Sequence, residues 1–254
     1  LWNAELKKDS RWSYNLWGVD SYLDADNKVG EYMFQNCTAL ETVIFPKSVT
    51  YIDENIFEMA TGLKRIAIGR NTSEVECDIL QDLDDYGGIE EVAFLTNQHV
   101  TSDYSDPWEA PIKNVYVPKS QFAEYLNDDK LSSRAQSIST MFDNDFITFT
   151  LADKGGIFFP SEVRSLEALK SGIFNFNDEL EDFSEFEKFY SLKVIGEDAF
   201  LGDNKLKTIP LPSSVEYIHK DAFYGCTKLD SIRVRCDSIY HVQPEHSLPR
   251  WDNS

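Results

Sequence analysis

The run Ile195-Gly196-Glu197-Asp198-Ala199-Phe200-Leu201-Gly202-Asp203-Asn204-Lys205-Leu206-Lys207-Thr208-Ile209-Pro210-Leu211-Pro212-Ser213-Ser214-Val215 decides the fold, because its pattern begins again at Ile218. Ile195, Phe200, Asp203, Leu206, Ile209 and Leu211 return 23 residues later as Ile218, Phe223, Cys226, Leu229, Ile232 and Val234. Far upstream the same order reads Val29, Phe34, Cys37, Leu40, Val43, Phe45, Pro46 and Val49. Ile52, Phe57, Ala60, Leu63, Ile66, Ile68, Gly69 and Thr72 follow it. A third copy opens at Val75 with Leu80 and Leu83. It carries three extra residues around Tyr86-Gly87-Gly88 before Ile89, Val92 and Phe94 restore the phase. A fourth keeps only Ile112, Val115, Val117 and Pro118. Agreement at so many positions is not chance, and a period in this range marks an array of stacked units.

One copy is readable in physical terms. Apolar and polar residues alternate along Leu206–Leu211, as in a short strand with one buried face. Proline ends the strand because it cannot donate to a continuing ladder. Phe34, Phe57, Phe200 and Phe223 are expected to point inward as a stacked aromatic spine. A single copy buries too little to offset its ordering entropy, so neighbours must supply the rest. The fold class is therefore an α/β solenoid with 23-residue repeats, short stacked parallel strands and a helix-containing insertion between two repeat blocks.

These residues resemble the BspA-like leucine-rich repeats of bacterial surface proteins, with the pattern I-G-x-x-A-F-x-x-C-x-x-L-x-x-I-x-L-P-x-S-V. Ile195–Phe200 and Leu206–Val215 match it closely, as do Val29–Phe34 and Cys37. Asp182–Phe189 looks like the helical lead-in to a repeat block, and Val117–Ser120 with Phe122–Leu126 like the segment closing one. The resemblance implies an extracellular, surface-associated protein of a host-associated bacterium, with adhesion as its theme. It transfers no catalytic residue.

The expected organisation is an N-terminal cap at 1–28, repeat block 1 at 29–118, a connector at 119–192, and repeat block 2 with a tail at 193–254. Within the connector, Ser120 to about Asn127 reads as a helix and Phe146–Leu151 as a strand. Ser161–Lys170 reads as a helix stopped by Gly172, and Asp178–Tyr190 as a second amphipathic helix. Its Phe and Leu content favours one continuous solenoid with an insertion; two separately packed halves stay open.

Composition narrows the partners. The 254 residues carry 44 acidic and 24 basic side chains, a formal charge of −20. That balance repels nucleic-acid phosphates, which bind through Lys and Arg, and equally repels anionic membranes. No stretch reaches the roughly 18 apolar residues of a membrane span. The chain starts at Leu1 without a basic-then-apolar leader, which reads as a mature or excised fragment.

The outward positions of stacked strands form columns. One runs Thr42, Arg65, Glu91, Asn114, then Thr208, Ser231; the next Ile44, Ala67, Ala93, Tyr116, then Pro210, Arg233. Just ahead, Glu41, Lys64, Glu90, Lys113, then Lys207, Asp230 are expected to form a cross-strand charge ladder. Thr42, Ile44, Arg65, Glu91, Tyr116 and Arg233 are the candidate binding residues for a host protein or glycan; the alternative is a solvated face held by its own ladder. A spacer within a larger surface protein is a competing role. A hydrolase using connector carboxylates is another, and it requires two acids facing one cleft.

No catalytic, cofactor or metal site is assigned. Cys37 and Cys226 share a repeat position and read as small buried hydrophobes, whereas Cys77 and Cys236 fall elsewhere. His99, His219, His241 and His246 form no metal array. Asp24-Ala25-Asp26-Asn27 and Asp143-Asn144-Asp145 could offer oxygen ligands to calcium, but neither completes the EF-hand pattern, and solvated turns are the simpler reading. Trp2, Trp12, Tyr14, Trp17 and Tyr22 either cap the open end or form a sugar-stacking surface.

Overall fold

The computed structural model describes residues 27–76, 78–80, 83, 87–100 and 107–234, together with the backbone of two strands at Trp2–Glu5 and Trp251–Asp252. The expectations for the side chains of the N-terminal cap, for Asp24 to Asp26, Cys77, Cys236, His241 and His246 lie outside the described residues. Contacts divide the chain between Asp145 and Phe146 into two units.

The first unit is a stack of parallel rungs. β1 (Trp2–Glu5), β3 (Leu40–Ile44), β5 (Arg65–Ile68), β7 (Ile89–Phe94), β8 (Ile112–Val117) and β9 (Ile138–Thr140) form one six-stranded sheet in that order. Shorter strands β2 (Lys28–Val29), β4 (Tyr51–Ile52) and β6 (Glu74–Val75) form a second, also parallel. Thr42 stands opposite Arg65, Arg65 opposite Glu91, and Glu91 opposite Asn114. The three extra residues of the third copy are thus absorbed before the next rung, at Gly87 and Gly88. Gly88 takes φ +73°, and a Cβ there would lie 2.2 Å from the Pro111 carbonyl oxygen. Only glycine fits.

Between the sheets, Val29, Ile52, Val75, Val43, Ile66, Val92 and Val115 are all fully buried. Phe34 and Phe57 stack with centroids 5.6 Å apart and planes within 14°. The pattern shifts at the next rungs, where Phe94 meets Trp108 edge-on at 5.1 Å and Tyr125 at 4.7 Å. Tyr125 comes from α1 (Phe122–Leu126), which lies in the helix expected after Pro118 and is followed by α2 (Asp129–Arg134).

The second unit repeats this plan. β10 (Ala168–Leu169), β11 (Val194–Ile195) and β13 (Tyr217–Ile218) form one parallel sheet; β12 (Thr208–Pro210), β14 (Ser231–Arg233) and β15 (Trp251–Asp252) form the other. Its spine is longer than Phe200 and Phe223 alone, because Phe174 joins it. Phe174–Phe200 and Phe200–Phe223 stack at 5.3 and 5.1 Å with planes within 12° and 4°. Each turn feeding the spine has two left-handed residues four apart, such as Asp198 with Gly202 and Asp221 with Gly225. Aspartate and glycine recur there because they tolerate positive φ best.

Several local expectations are corrected. Phe146–Leu151 is not a strand: α3 (Asp145–Thr150) runs into a π-helical segment at Leu151–Gly155, closed by Gly156 at φ +71°. Ile147, Thr148, Thr150 and Leu151 are buried, a helical spacing that a six-residue, β-branched window does not reveal. The helix expected over Ser161–Lys170 spans only Pro160–Ser165 (α4), since Ala168 and Leu169 are taken by a rung. Asp178–Tyr190 holds no α-helix but a 3-10 segment, Ser184–Lys188. Phe183, Phe186 and Phe189 recur every three residues, which suits the three-per-turn 3-10 helix, and all are fully buried. Cys37 is exposed rather than buried, whereas Cys226 is buried with its thiol donating to the Phe200 carbonyl at 3.0 Å. Residues within 119–192 supply rungs as well, through β9 and β10.

Candidate functional site

Parallel register lines up the proposed recognition columns on the large sheet of the first unit. Ile44, Ala67, Ala93, Tyr116 and Ser139 stand opposite one another in sequence, beside Thr42, Arg65, Glu91 and Asn114. Ile44, Arg65, Glu91, Asn114, Tyr116 and Ser139 are half-buried. Thr42 is a correction to the exposed set: only 2% of it meets solvent. Ala67 and Ala93 are fully buried as well. Small side chains between longer neighbours on a parallel sheet sink below the surface those neighbours make.

The longer residues tie rungs together. Arg65 Nε donates to Thr42 Oγ1 at 3.2 Å, and Tyr116 Oη to Glu91 Oε1 at 3.2 Å. The Asn114 amide donates to the Glu90 carbonyl at 3.4 Å. This face therefore presents aliphatic, aromatic, cationic and anionic groups held in place by their own cross-strand bonds. Such pre-ordering lowers the entropy lost when a partner docks.

Arg233, the sixth candidate, lies on β14 of the second unit and is exposed. In place of the expected step from Lys207 to Asp230, Lys207 Nζ contacts Glu181 at 2.8 Å, and beside it Thr208 Oγ1 donates to Asp182 at 3.2 Å. A hydrogen bond to Lys207, and then its charge, lower the Glu181 pKa and reciprocally raise that of Lys207. In the first unit, among the described residues, backbone bonds join Glu41, Lys64 and Glu90, Lys113 stands on the next rung, and no ion pair links the four.

The small sheet of the first unit holds a feature that the sequence reading passed over. Lys28, Thr50, Tyr51, Asp53, Ser73, Glu74 and Glu76 line an open groove of about 600 Å³. Lys28 Nζ sits 5.0 Å from the centroid of the Tyr51 ring, a cation–π contact, and Tyr51 Oη donates to Glu76 Oε1 at 2.6 Å. Burial first, then the Glu76 acceptor and the charges of Asp53, Glu76 and Glu74, push the phenol pKa up. The repeat spacing carried the signal, because Lys28, Tyr51 and Glu74 occupy successive copies of one position. Three carboxylates thus share one concavity, formed on repeat rungs rather than on the connector.

The remaining candidates have structural partners. Asp145 accepts from the Ser120 amide at 3.0 Å and caps the turn at Lys119–Gln121, while Asp143 pairs with Lys119 Nζ at 3.1 Å. His99 Nε2 lies 3.2 Å from Asp128, which also caps the α-helix Asp129–Arg134, and its ring rests edge-on against Tyr125 at 4.5 Å. His219 is exposed and stacks edge-on against Tyr217 at 4.7 Å. Among the described residues, no group of three or more His, Cys, Asp or Glu could hold a metal ion, and no helix is long and apolar enough to cross a membrane.

Residues 24–98 and 156–245 match the sequence model of the BspA type leucine rich repeat region, in six copies. Two solved structures are similar to this chain. One is a leucine-rich repeat protein from Bacteroides ovatus, 17% identical over 84% of this chain and 54% of its own, with a TM-score of 0.24. The chain thus spans about half the length of that protein. The other is a leucine rich cell surface protein from Faecalibacterium prausnitzii, 16% identical over 81% of this chain and 82% of its own, with a TM-score of 0.19. The search of curated proteins returned no match.

Proposed function

The chain belongs to the BspA-type leucine-rich repeat family, and from that premise we propose that it is an extracellular, surface-associated adhesion module. In this reading it binds a host protein or glycan without chemical turnover. The recognition face is the large sheet of the first unit, with Ile44, Arg65, Glu91 and Tyr116 as contact residues. The observation that carries the proposal is the register that aligns these side chains across successive rungs, half-buried and cross-bonded. Repeat arrays use extended faces of this kind for binding. Arg233 is a contact residue of the second unit's own face.

The test is a binding screen of the intact chain against matrix proteins and a glycan array, followed by Arg65→Ala with Tyr116→Ala, and separately Arg233→Ala. Loss of binding in the double variant, with the fold intact, supports the large sheet. Unchanged affinity in both variants would move the site elsewhere, and silence across broad panels would favour the spacer role. The groove at Glu74 and Glu76 is what favours a second, hydrolytic reading. Turnover of a glycan or peptide panel that disappears in Glu76→Gln would establish it.

A further inference from the structure

We propose that the Asp203 carboxyl is a pH-responsive element that tightens the second unit in acid and loosens it as its proton leaves. Asp203 is fully buried, and neither carboxyl oxygen has a hydrogen-bond partner. It occupies a repeat position filled by the Asn177 amide one rung before and the Cys226 thiol one rung after. Both neighbours are held in place by bonds of their own. Asn177 Oδ1 accepts from the Glu179 and Leu180 amides at 2.7 and 3.3 Å, and Cys226 donates to the Phe200 carbonyl at 3.0 Å. The thiol is thus turned away from the carboxyl, and the Asn177 side chain is held through its oxygen, which leaves its Nδ2 unpaired.

The Asn177 amide nitrogen faces the carboxyl and partly offsets burial, but its geometry falls short of a hydrogen bond. Charged groups on the surrounding elements give no countercharge from inside. Asp178, Glu179, Glu185, Glu187, Lys188, Asp198, Lys205, Asp221 and Lys228 are all exposed or half-buried. A charge at Asp203 is therefore stranded, which is costly, whereas the protonated acid is a small neutral group like its neighbours.

Burial pushes the Asp203 pKa up to about 7, with the Asn177 amide acting in the opposite direction. Burial, and then the Asp203 charge, push the Cys226 thiol up to about 12, so that thiol stays neutral while Asp203 titrates. The folded-state value lies above the unfolded one, about 3.9. Between the two, the folded chain holds a proton that the unfolded chain releases. The contribution is full below about pH 4 and is lost as pH rises through about 7.

The experiment is hydrogen exchange of the full chain at pH 5 and pH 8, corrected for intrinsic rates and read by peptide. Protection over 174–206 and 222–232 is expected to fall at least tenfold from pH 5 to pH 8, with peptides over 42–68 as the internal reference. Asp203→Asn should abolish that difference while leaving His219 in place; if it does not fold, Asp203→Cys, the residue of the next repeat, serves instead. Equal protection at both pH values overturns the proposal. So does a fall that persists in the neutral variant, or one of the same size over 42–68.

Discussion

Removing the Phe200 ring should be the most damaging single truncation in the second unit. The side chain is fully buried. Its ring stacks on Phe174 at 5.3 Å and Phe223 at 5.1 Å, and meets Phe186 and Phe183 edge-on at 5.7 and 6.3 Å. Phe→Ala in a core costs about 3–5 kcal/mol, and aromatic pairs add about 0.5–1.5 kcal/mol each beyond their buried area. Four such contacts place Phe200→Ala near the top of that range, at about 4–5 kcal/mol. Phe34 is the comparison: it is 8% exposed and, among the described residues, stacks on Phe57 alone, so Phe34→Ala should cost about 3 kcal/mol. Because the chain has two units, a single global transition cannot be assumed, and urea-dependent hydrogen exchange should be read separately in each. In a stack coupled through nearest neighbours, losing the middle ring should lower protection in the rungs on both sides of Phe200. A cost below about 2 kcal/mol, or equal losses for Phe200→Ala and Phe34→Ala, would refute the spine as the source of the unit's cohesion.

Three further outcomes follow from single contacts. Gly88→Ala should cost about 2–3 kcal/mol by urea titration, since it combines a left-handed backbone with a clash against Pro111. Tyr51→Phe should lower the stability of the first unit by about 0.5–1.5 kcal/mol, removing the bond to Glu76 while keeping the ring under Lys28. Lys207→Gln should leave the unfolding midpoint of the second unit unchanged at physiological salt, because its ion pair with Glu181 is fully solvated; a clear downward shift would assign the ladder a stabilising role.

How far the fold could be read in advance depended on whether neighbouring copies constrained a residue. Phe200 and Phe223 were legible as a stacked pair because the same position recurred with the same chemistry. Phe174 escaped because its copy stands 26 residues before the next, Leu169 opposite Ile195, and so falls out of phase with the 23-residue period. Phe146–Leu151 misled because its β-branched residues satisfy both strand and helix templates in so short a window. At the candidate site, the registers Thr42–Arg65 and Ala93–Tyr116 followed from spacing. The burial of Thr42 did not, since it depends on the lengths of the side chains flanking it in space. The Lys28–Tyr51–Glu76 groove was hidden for a similar reason: its members lie on three rungs, and only stacking makes them one surface.

Periodicity alone carried the parallel rungs, their register and the inward phenylalanines, because in an array every copy meets the same neighbours and a repeated residue implies a repeated contact. The irregular decisions came from the tertiary structure: which small outward residues sink, where a helix yields to a rung, and how Cys37 lies exposed while Cys226 is enclosed. Those depend on what packs against each copy from outside the repeat, and no single copy encodes its neighbour. Asp203 shows the division most clearly. Its spacing assigned it to the column of Cys37, Ala60, Leu83 and Cys226, but only the enclosing rungs bury its carboxyl and leave it without a hydrogen-bond partner.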